Sequence, residues 1–169
     1  MAFELGENKW MIRFGDGQRT RDVRMKARDL ERLEQEIVRA KDRFGLRADV
    51  GVVSCYEAGR DGFWLHRYLA TQGVENLVVD SASIEVSRRR RRAKTDRLDV
   101  VKLHAMLIRH VGGERVWSVV RVPDVEAEDA RQIHRELERM KGEARRHRNR
   151  IQSLLVTQGI NVNMGRGFV

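Results

Sequence analysis

A repeat of apolar and small residues near the carboxyl end most strongly limits how this chain of 169 residues can fold. The repeat recurs every three or four positions from about 125 to 158, just after the only proline, Pro123, and so predicts a helix about 50 Å long. Such a helix is too long for a small domain to cover. The repeat consists of Ala130, Ile133, Leu137, Met140, Ala144, His147, Ile151 and Leu154.

Two regions follow from this pattern, a domain over residues 1–122 and a helix with a frayed tail over 123–169. The helix is expected to form a coiled coil with another chain or with a returning helix. We predict a homodimer or a larger homo-oligomer. Its interface is assigned to Ile133, Leu137, Met140, Ala144, Ile151 and Leu154.

The first 122 residues alternate between strand-like and helix-like patterns. Three short strands separated by turn residues predict an antiparallel meander, and a later strand, helix and strand predict a right-handed parallel crossover. The fold class is therefore α/β with a mixed sheet and flanking helices. Strands are predicted over 2–5, 10–14, 20–25, 49–54, 77–79 and 115–122, and helices over 27–44, 63–70 and 95–110.

The positive charge is concentrated in the second half of the chain. Residues 1–87 carry a net charge of −1 and residues 88–169 carry +10, within a total of +9. This asymmetry favours a nucleic-acid partner. A membrane partner is not expected, because no apolar run approaches the roughly 20 residues of a membrane span. With no secretion signal and a single cysteine, Cys55, we expect a cytoplasmic protein.

Four carboxylates stand where predicted strands end or a helix begins. Glu4 and Glu57 belong to strands, and Asp96 and Asp99 share one helical face. Oxygen ligands that converge at a sheet edge would bind Mg²⁺ or Mn²⁺ and support phosphodiester chemistry. Alternatively, the two aspartates complement the start of their helix, Glu57 caps the following helix and Glu4 faces solvent. Spacing alone leaves both interpretations open.

Three motifs follow one another along the chain. They are Cys55-Tyr56-Glu57-Ala58-Gly59, Lys94-Thr95-Asp96-Arg97-Leu98-Asp99, and His147-Arg148-Asn149-Arg150-Ile151 followed by Leu154-Leu155. In this order and spacing they resemble DEDD-type transposases of the insertion-sequence-110 family. The resemblance implies a RuvC-like, ribonuclease H-like domain over residues 1–122. It also implies that Glu4, Glu57, Asp96 and Asp99 are catalytic and bind Mg²⁺ or Mn²⁺. The family more often has Asp on the first strand, where this sequence has Glu4.

Arginines form two candidate nucleic-acid contact regions, one before the two aspartates and one on the long helix. Guanidinium groups pair bidentately with phosphates, although a solvated loop and outer coiled-coil positions are the alternatives. The predicted contacts are Arg88, Arg89, Arg90, Arg91, Arg92, Lys94 and Arg97, together with Arg145, Arg146, Arg148 and Arg150.

The resemblance implies magnesium-dependent strand cleavage and exchange in DNA transposition, guided by a bridge RNA and carried out by dimers or larger assemblies. Family members continue into a transposase domain that bears a serine, so we expect an N-terminal part that is incomplete without that domain. Two alternatives remain open. One is a dimeric nucleic-acid-binding module with a degenerate acidic site, and the other is a free-standing RuvC-like nuclease selective for DNA structure.

Overall fold

One mixed sheet of five strands occupies the first part of the chain. The strands β1 (Ala2–Leu5), β2 (Lys9–Gly15) and β3 (Thr20–Lys26) form an antiparallel meander. The strand β4 (Val52–Glu57) pairs in parallel with β1, and β5 (Val74–Val79) pairs in parallel with β4. Because the order across the sheet is β3-β2-β1-β4-β5, β1 joins the antiparallel half to the parallel half.

The computed structural model of the protein describes residues 1–84 and 96–162, with the backbone alone for Asp96. Contacts divide the chain into two compact units, Met1–Val122 and Pro123–Val169. The sheet belongs to the first unit and a long helix belongs to the second. None of the described helices combines the length and the apolar character needed to cross a bilayer.

In the part of the chain that the structure describes, three helices accompany the sheet. The helix α1 (Leu30–Phe44) begins after Asp29, whose side chain accepts a hydrogen bond from the Arg32 amide, and ends at Gly45, which has a φ of 67°. The helix α2 (Trp64–Thr71) connects the parallel strands β4 and β5, as predicted. The helix α3 (Asp96–Val111) follows a short 3₁₀ turn over Ser81–Ser83.

The helices cover both faces of the sheet, because neighbouring strand residues point to opposite sides. On one face, Phe3 and Tyr56 share a buried cluster with α1 and α2, represented by Leu33 and Leu65. On the other face, a second cluster contains α3. Its buried members are Ala2, Met11, Cys55, Val79, Val100, Leu103, Met106, Leu107 and Trp117. This arrangement confirms an α/β fold with a mixed sheet and flanking helices.

The predicted last strand over residues 115–122 is wrong. This segment makes one isolated antiparallel bridge, between Val119 and Val79 of β5. The Asp80 amide donates to the Ser118 carbonyl at 2.9 Å, and the Val120 amide donates to the Val78 carbonyl at 2.8 Å. The segment therefore covers the carboxyl end of β5 without continuing as a sixth strand.

The long helix α4 spans Val125–Thr157, close to the predicted 125–158. Its start is set by Asp124, whose side chain accepts a hydrogen bond from the Ala127 amide at 2.7 Å, and by Pro123 before it. Glu126 and Glu128 in the first turn complement the positive end of the helix dipole. None of its 33 residues is buried, so the described chain leaves its apolar residues uncovered.

A buried carboxylate joins α1 to the edge strand β3. Glu36 is 2% exposed and accepts a hydrogen bond from Arg21 of β3 and another from Arg39 at 2.9 Å. Burial alone would raise the pKa of Glu36, but the hydrogen bonds and positive charges of Arg21 and Arg39 lower this pKa below its usual value. The folded state therefore favours the ionised carboxylate.

Replacing this carboxylate should reduce stability in a pH-dependent way. We expect Glu36→Gln to lower the free energy of unfolding at pH 7 by about 1–3 kcal/mol, because hydrogen bonds to a charged group are lost. Because the pKa of Glu36 is lower in the folded state than in the unfolded state, the ionised carboxylate adds to the free energy of unfolding above its unfolded pKa of about 4.3. This stabilisation disappears as pH falls through the folded pKa. The difference between wild type and variant should therefore shrink at pH 3.

Urea unfolding at pH 7 and pH 3 measures this effect. The matched control is Glu31→Gln, an exposed position on the same helix, for which we expect a change within about 0.5 kcal/mol at both pH values. A constant difference between wild type and Glu36→Gln across the two pH values would contradict the assigned ionisation.

Candidate metal and nucleic-acid site

Glu4 and Glu57 lie at the carboxyl ends of two neighbouring parallel strands. The register pairs Ala2 with Cys55 and Phe3 with Tyr56, so the next step along β1 and β4 places Glu4 beside Glu57. Neighbouring strands are about 4.8 Å apart. By strand alternation, both residues belong to the sheet face that carries Ala2 and Cys55, which is the face packed against α3.

The two glutamates line one open cleft of about 310 Å³. Its walls come from β1 with the turn after it and from the loop after β4, which includes Arg60 and Asp61. Arg60 lies 3.6 Å from Glu7 and 3.5 Å from Asp61, between Nη and carboxylate oxygen atoms. The cleft therefore combines acidic residues with a guanidinium group.

The direction of α3 brings its first turn toward the same sheet edge. The Cys55 Sγ lies 3.9 Å from the Leu103 carbonyl oxygen, and the His104 ring lies against Gly15 at the opposite end of the sheet. Asp99 precedes Leu103 by one turn, about 6 Å along the helix. The step from Cys55 to Glu57 covers about 7 Å. Asp99 therefore lies at a level of the sheet similar to that of Glu57.

The four predicted metal ligands differ in their exposure. Glu4 and Asp99 are half-buried and Glu57 is exposed, while the side chain of Asp96 lies outside the described atoms. Within residues 1–84 and 97–162, no three His, Cys, Asp or Glu side chains form a group spaced to hold a metal ion. The four-carboxylate site stays a prediction.

The alternative role of Glu57 as a helix cap is wrong. The helix α2 begins after Phe63, and no side chain caps its first turn. Glu57 instead ends β4 and faces the cleft described above. Its position is therefore set by the strand and not by the following helix.

Of the predicted nucleic-acid contacts, Arg97 and those on α4 lie within the described residues. The side chain of Arg97 is 72% exposed, and its Nε lies 3.5 Å from the Asp22 carboxylate. The contacts Arg88, Arg89, Arg90, Arg91, Arg92 and Lys94 lie outside the described residues. On α4, Arg148 is half-buried, and Arg145, Arg146 and Arg150 are exposed.

The predicted interface residues of α4 are all exposed in the described chain. Ile133 is 72% exposed and Leu154 is 61% exposed. The same holds for Leu137, Met140, Ala144 and Ile151. An apolar face of this extent is available for a partner helix, and the dimer stays a prediction.

Sequence reasoning missed a polar group beneath α3. Arg13 donates to Asp22 through Nε at 2.6 Å and through Nη at 2.8 Å, and Arg97 approaches the same carboxylate. His104 is 4% exposed, and its burial, with added effects of the terminal ammonium and Arg13, lowers its pKa to about 4. Only the register of β2 and β3 reveals this group, because it pairs Arg13 with Asp22.

Arg60 was missed for a different reason. It lies in an irregular loop between Gly59 and Gly62, where no periodic pattern marks a side chain as part of a cleft. The glycines were the available signal, because such residues often accompany a sharp change of chain direction. Gly62 has a φ of 64°, which favours glycine.

Cys55 is an inert core residue. It is fully buried, and its burial raises the pKa of the thiol to about 12, with a partial offset from the terminal ammonium. A thiol with this pKa is almost entirely protonated at neutral pH and is a poor nucleophile. Cys55 therefore contributes to the packing of α3 against β4.

The thiol should resist modification while the protein is folded. With an aromatic disulfide reagent at pH 8, we expect Cys55 to react at least about a thousandfold more slowly in native protein than in urea-unfolded protein, because little thiolate forms. Adding Ser153→Cys, at an exposed position of α4, should introduce one rapidly reacting thiol. Rapid modification of native Cys55 would contradict its placement in the core.

One relative of known sequence places these features in context. The chain is 40% identical, over 169 aligned positions that cover 95% of it, to a Sinorhizobium fredii protein named "Putative transposase y4rJ". The aligned part is 42% of that relative, so the chain spans about two fifths of its length. No family model matches the chain, and no solved structure matches it. The similarity therefore extends over both units of the chain.

Proposed function

We propose that this chain is the acidic-site region of a DNA transposase similar to the DEDD-type enzymes of the insertion-sequence-110 family. The similarity to a protein named as a transposase covers 95% of the chain and supports this assignment. The mixed sheet with helices on both faces is compatible with a RuvC-like, ribonuclease H-like domain. We assign the reaction to metal-dependent cleavage and exchange of phosphodiester bonds in a cytoplasmic protein.

The observation that carries this proposal is that the register of β1 and β4, which pairs Phe3 with Tyr56, leaves Glu4 and Glu57 lining one cleft at the carboxyl ends of these strands. Two carboxylates in one cleft suit Mg²⁺, which prefers oxygen ligands and is often bound through one or two carboxylates together with substrate phosphates. Asp96 and Asp99, in the first turn of α3, would supply the remaining ligands. The chemistry of the donor residues therefore fits the ion.

The residues of the chain have separate roles in this proposal. Glu4, Glu57, Asp96 and Asp99 would hold the metal, which supplies charge stabilisation and activation of an oxygen nucleophile when bound. The Arg60 guanidinium, in the same cleft, would bind a phosphate of the substrate strand and orient it toward the carboxylates. Arg97 is exposed near the start of α3 and would hold a neighbouring phosphate.

The partners belong to the same proposal. DNA would contact the predicted arginine run, and a bridge RNA would guide the choice of target. Chains would associate as a homodimer or a larger homo-oligomer through the apolar face of α4. The high net charge of +9 supports a polyanionic partner, and the exposure of Leu137 and Met140 supports association.

Metal binding tests the acidic site directly. We expect Mn²⁺ to bind the chain, and calorimetry and electron paramagnetic resonance would detect this binding. We expect Glu57→Gln and Asp96→Asn each to weaken the Mn²⁺ affinity at least about tenfold, because each substitution removes a charged oxygen ligand. The matched control is Glu75→Gln, an exposed carboxylate on β5, which should leave Mn²⁺ affinity unchanged.

The same measurements separate the three interpretations. Absence of Mn²⁺ binding at millimolar concentration would contradict the catalytic proposal and favour a nucleic-acid-binding module. Cleavage of branched DNA by the chain alone, abolished by Asp96→Asn, would favour a free-standing nuclease. Metal binding without cleavage by the chain alone would support the proposed transposase region.

Association through α4 is tested by charging its apolar face. We expect Leu137→Glu combined with Met140→Lys to convert dimers to monomers, measured by light scattering, because charged groups would be buried at a coiled-coil interface. The control pair, Arg131→Glu with Gln132→Lys at exposed positions away from this face, should leave the dimer intact. A dimer that persists in the first variant would place the interface elsewhere.

A further inference from the structure

A second pattern runs along α4 on the side opposite its apolar face. Arg131, Arg135, Arg139, Arg146 and Arg150 are separated by four, four, seven and four residues. With about 3.6 residues per turn, these positions fall within roughly a third of the helix circumference. All five are exposed. We refer to these five residues as the arginine stripe.

The arginine stripe contains no acidic residue between its two ends. The other positions in this sector are Gln132, Gly142 and Asn149. The acidic residues of the same stretch, Glu136, Glu138 and Glu143, lie outside the sector. Positive charge is therefore concentrated on one line, although acids and bases alternate along the sequence.

The guanidinium groups of the arginine stripe are weakly engaged. Arg139 lies 3.4 Å from Glu136 and Arg146 lies 3.7 Å from Glu143, and these two arginine side chains are 66% and 71% exposed. Such exposed pairs exchange readily for other partners. Arg131, Arg135 and Arg150 form no ion pair with any residue in the described part of the chain.

The apolar face and the arginine stripe can be occupied at the same time. Ile133, Met140 and Ile151 lie on the far side of the helix from the arginine stripe. A partner helix on that face would leave the five arginines at the outer surface.

The basic residues of α4, histidines aside, are seven arginines and one lysine. This composition favours phosphate binding, because arginine is the side chain that pairs bidentately with phosphate.

We propose that the arginine stripe binds the sugar–phosphate backbone of double-stranded DNA without reading its sequence. This inference rests on the nucleic-acid binding in the proposed function and adds Arg131, Arg135 and Arg139 to its contacts. The stripe is about 28 Å long. A DNA duplex lying beside it carries about one phosphate charge per 1.7 Å of its axis, so phosphates are present along the whole stripe.

The shape of the helix favours DNA over RNA as this partner. A helix about 10–12 Å across fits along the B-form major groove, which is about 12 Å wide. The major groove of an A-form RNA duplex is deep and narrow, and side chains enter it poorly. We therefore commit to duplex DNA, with its phosphates on both rims of the groove contacting the arginines.

The salt dependence of binding tests this proposal on the full chain. The probe is a 30-base-pair DNA duplex of arbitrary sequence, titrated by fluorescence anisotropy from 50 to 300 mM KCl. We expect Arg135→Gln with Arg139→Gln to make the slope of log affinity against log salt less steep by at least about 1.8, and to lower affinity at least about tenfold at 0.1 M salt. Glutamine preserves helix propensity, which circular dichroism checks.

The matched control removes the same two positive charges at exposed positions outside the arginine stripe and outside the other predicted nucleic-acid contacts. In Lys141→Gln with Arg47→Gln, the slope should remain at the wild-type value. Equal changes in the two variants would mean that only net charge matters, and this would overturn the proposal. A slope unchanged by Arg135→Gln with Arg139→Gln would also overturn it, as would failure of the wild-type chain to bind the duplex.

Two further readouts separate this proposal from its alternatives. Tighter binding to an RNA duplex of equal length than to DNA would overturn the choice of DNA. Mn²⁺ affinity should be the same in wild type and in Arg135→Gln with Arg139→Gln, because the stripe holds no metal ligand. Loss of Mn²⁺ binding in the Glu57→Gln variant with an unchanged salt slope would show that the acidic cleft and the arginine stripe act separately.

Discussion

The parallel pairing of β1 with β4 is the contact on which the rest of the first unit depends. It joins an antiparallel meander to a parallel crossover, and it aligns Ala2 with Cys55 and Phe3 with Tyr56 at the centre of both apolar clusters. The same register brings Glu4 and Glu57 together one step further along. Shifting this pairing by one residue would turn these side chains to the wrong faces of the sheet.

Much of the architecture could be predicted because periodicity directly reflects burial. The spacing of Leu33, Ala40 and Phe44 predicted α1, and the same reasoning located α4 to within a residue at each end. Strand limits were less accurate. The sequence pattern includes Val50 in β4, but the Val50 amide donates to the Arg47 carbonyl in a turn, and β4 begins at Val52.

The candidate site could be predicted in its residue types but not in its geometry. A carboxylate at a strand end is visible in a sequence, whereas its neighbour across the sheet depends on register, as for Glu4 and Glu57. Buried charge is equally hard to anticipate. Glu36 occupies a helix rich in exposed acids, and only its contact with Arg21 from a separate strand explains why it is buried.

The short segment around Val119 has a consequence for the behaviour of the protein in solution. The outer side of β5 would otherwise present free amide and carbonyl groups from a valine-rich strand, which is a template for adding strands from other molecules. Two backbone hydrogen bonds, next to the buried Trp117 ring, occupy the carboxyl end of that edge. This covering protects the carboxyl end of β5 from pairing with strands of other molecules.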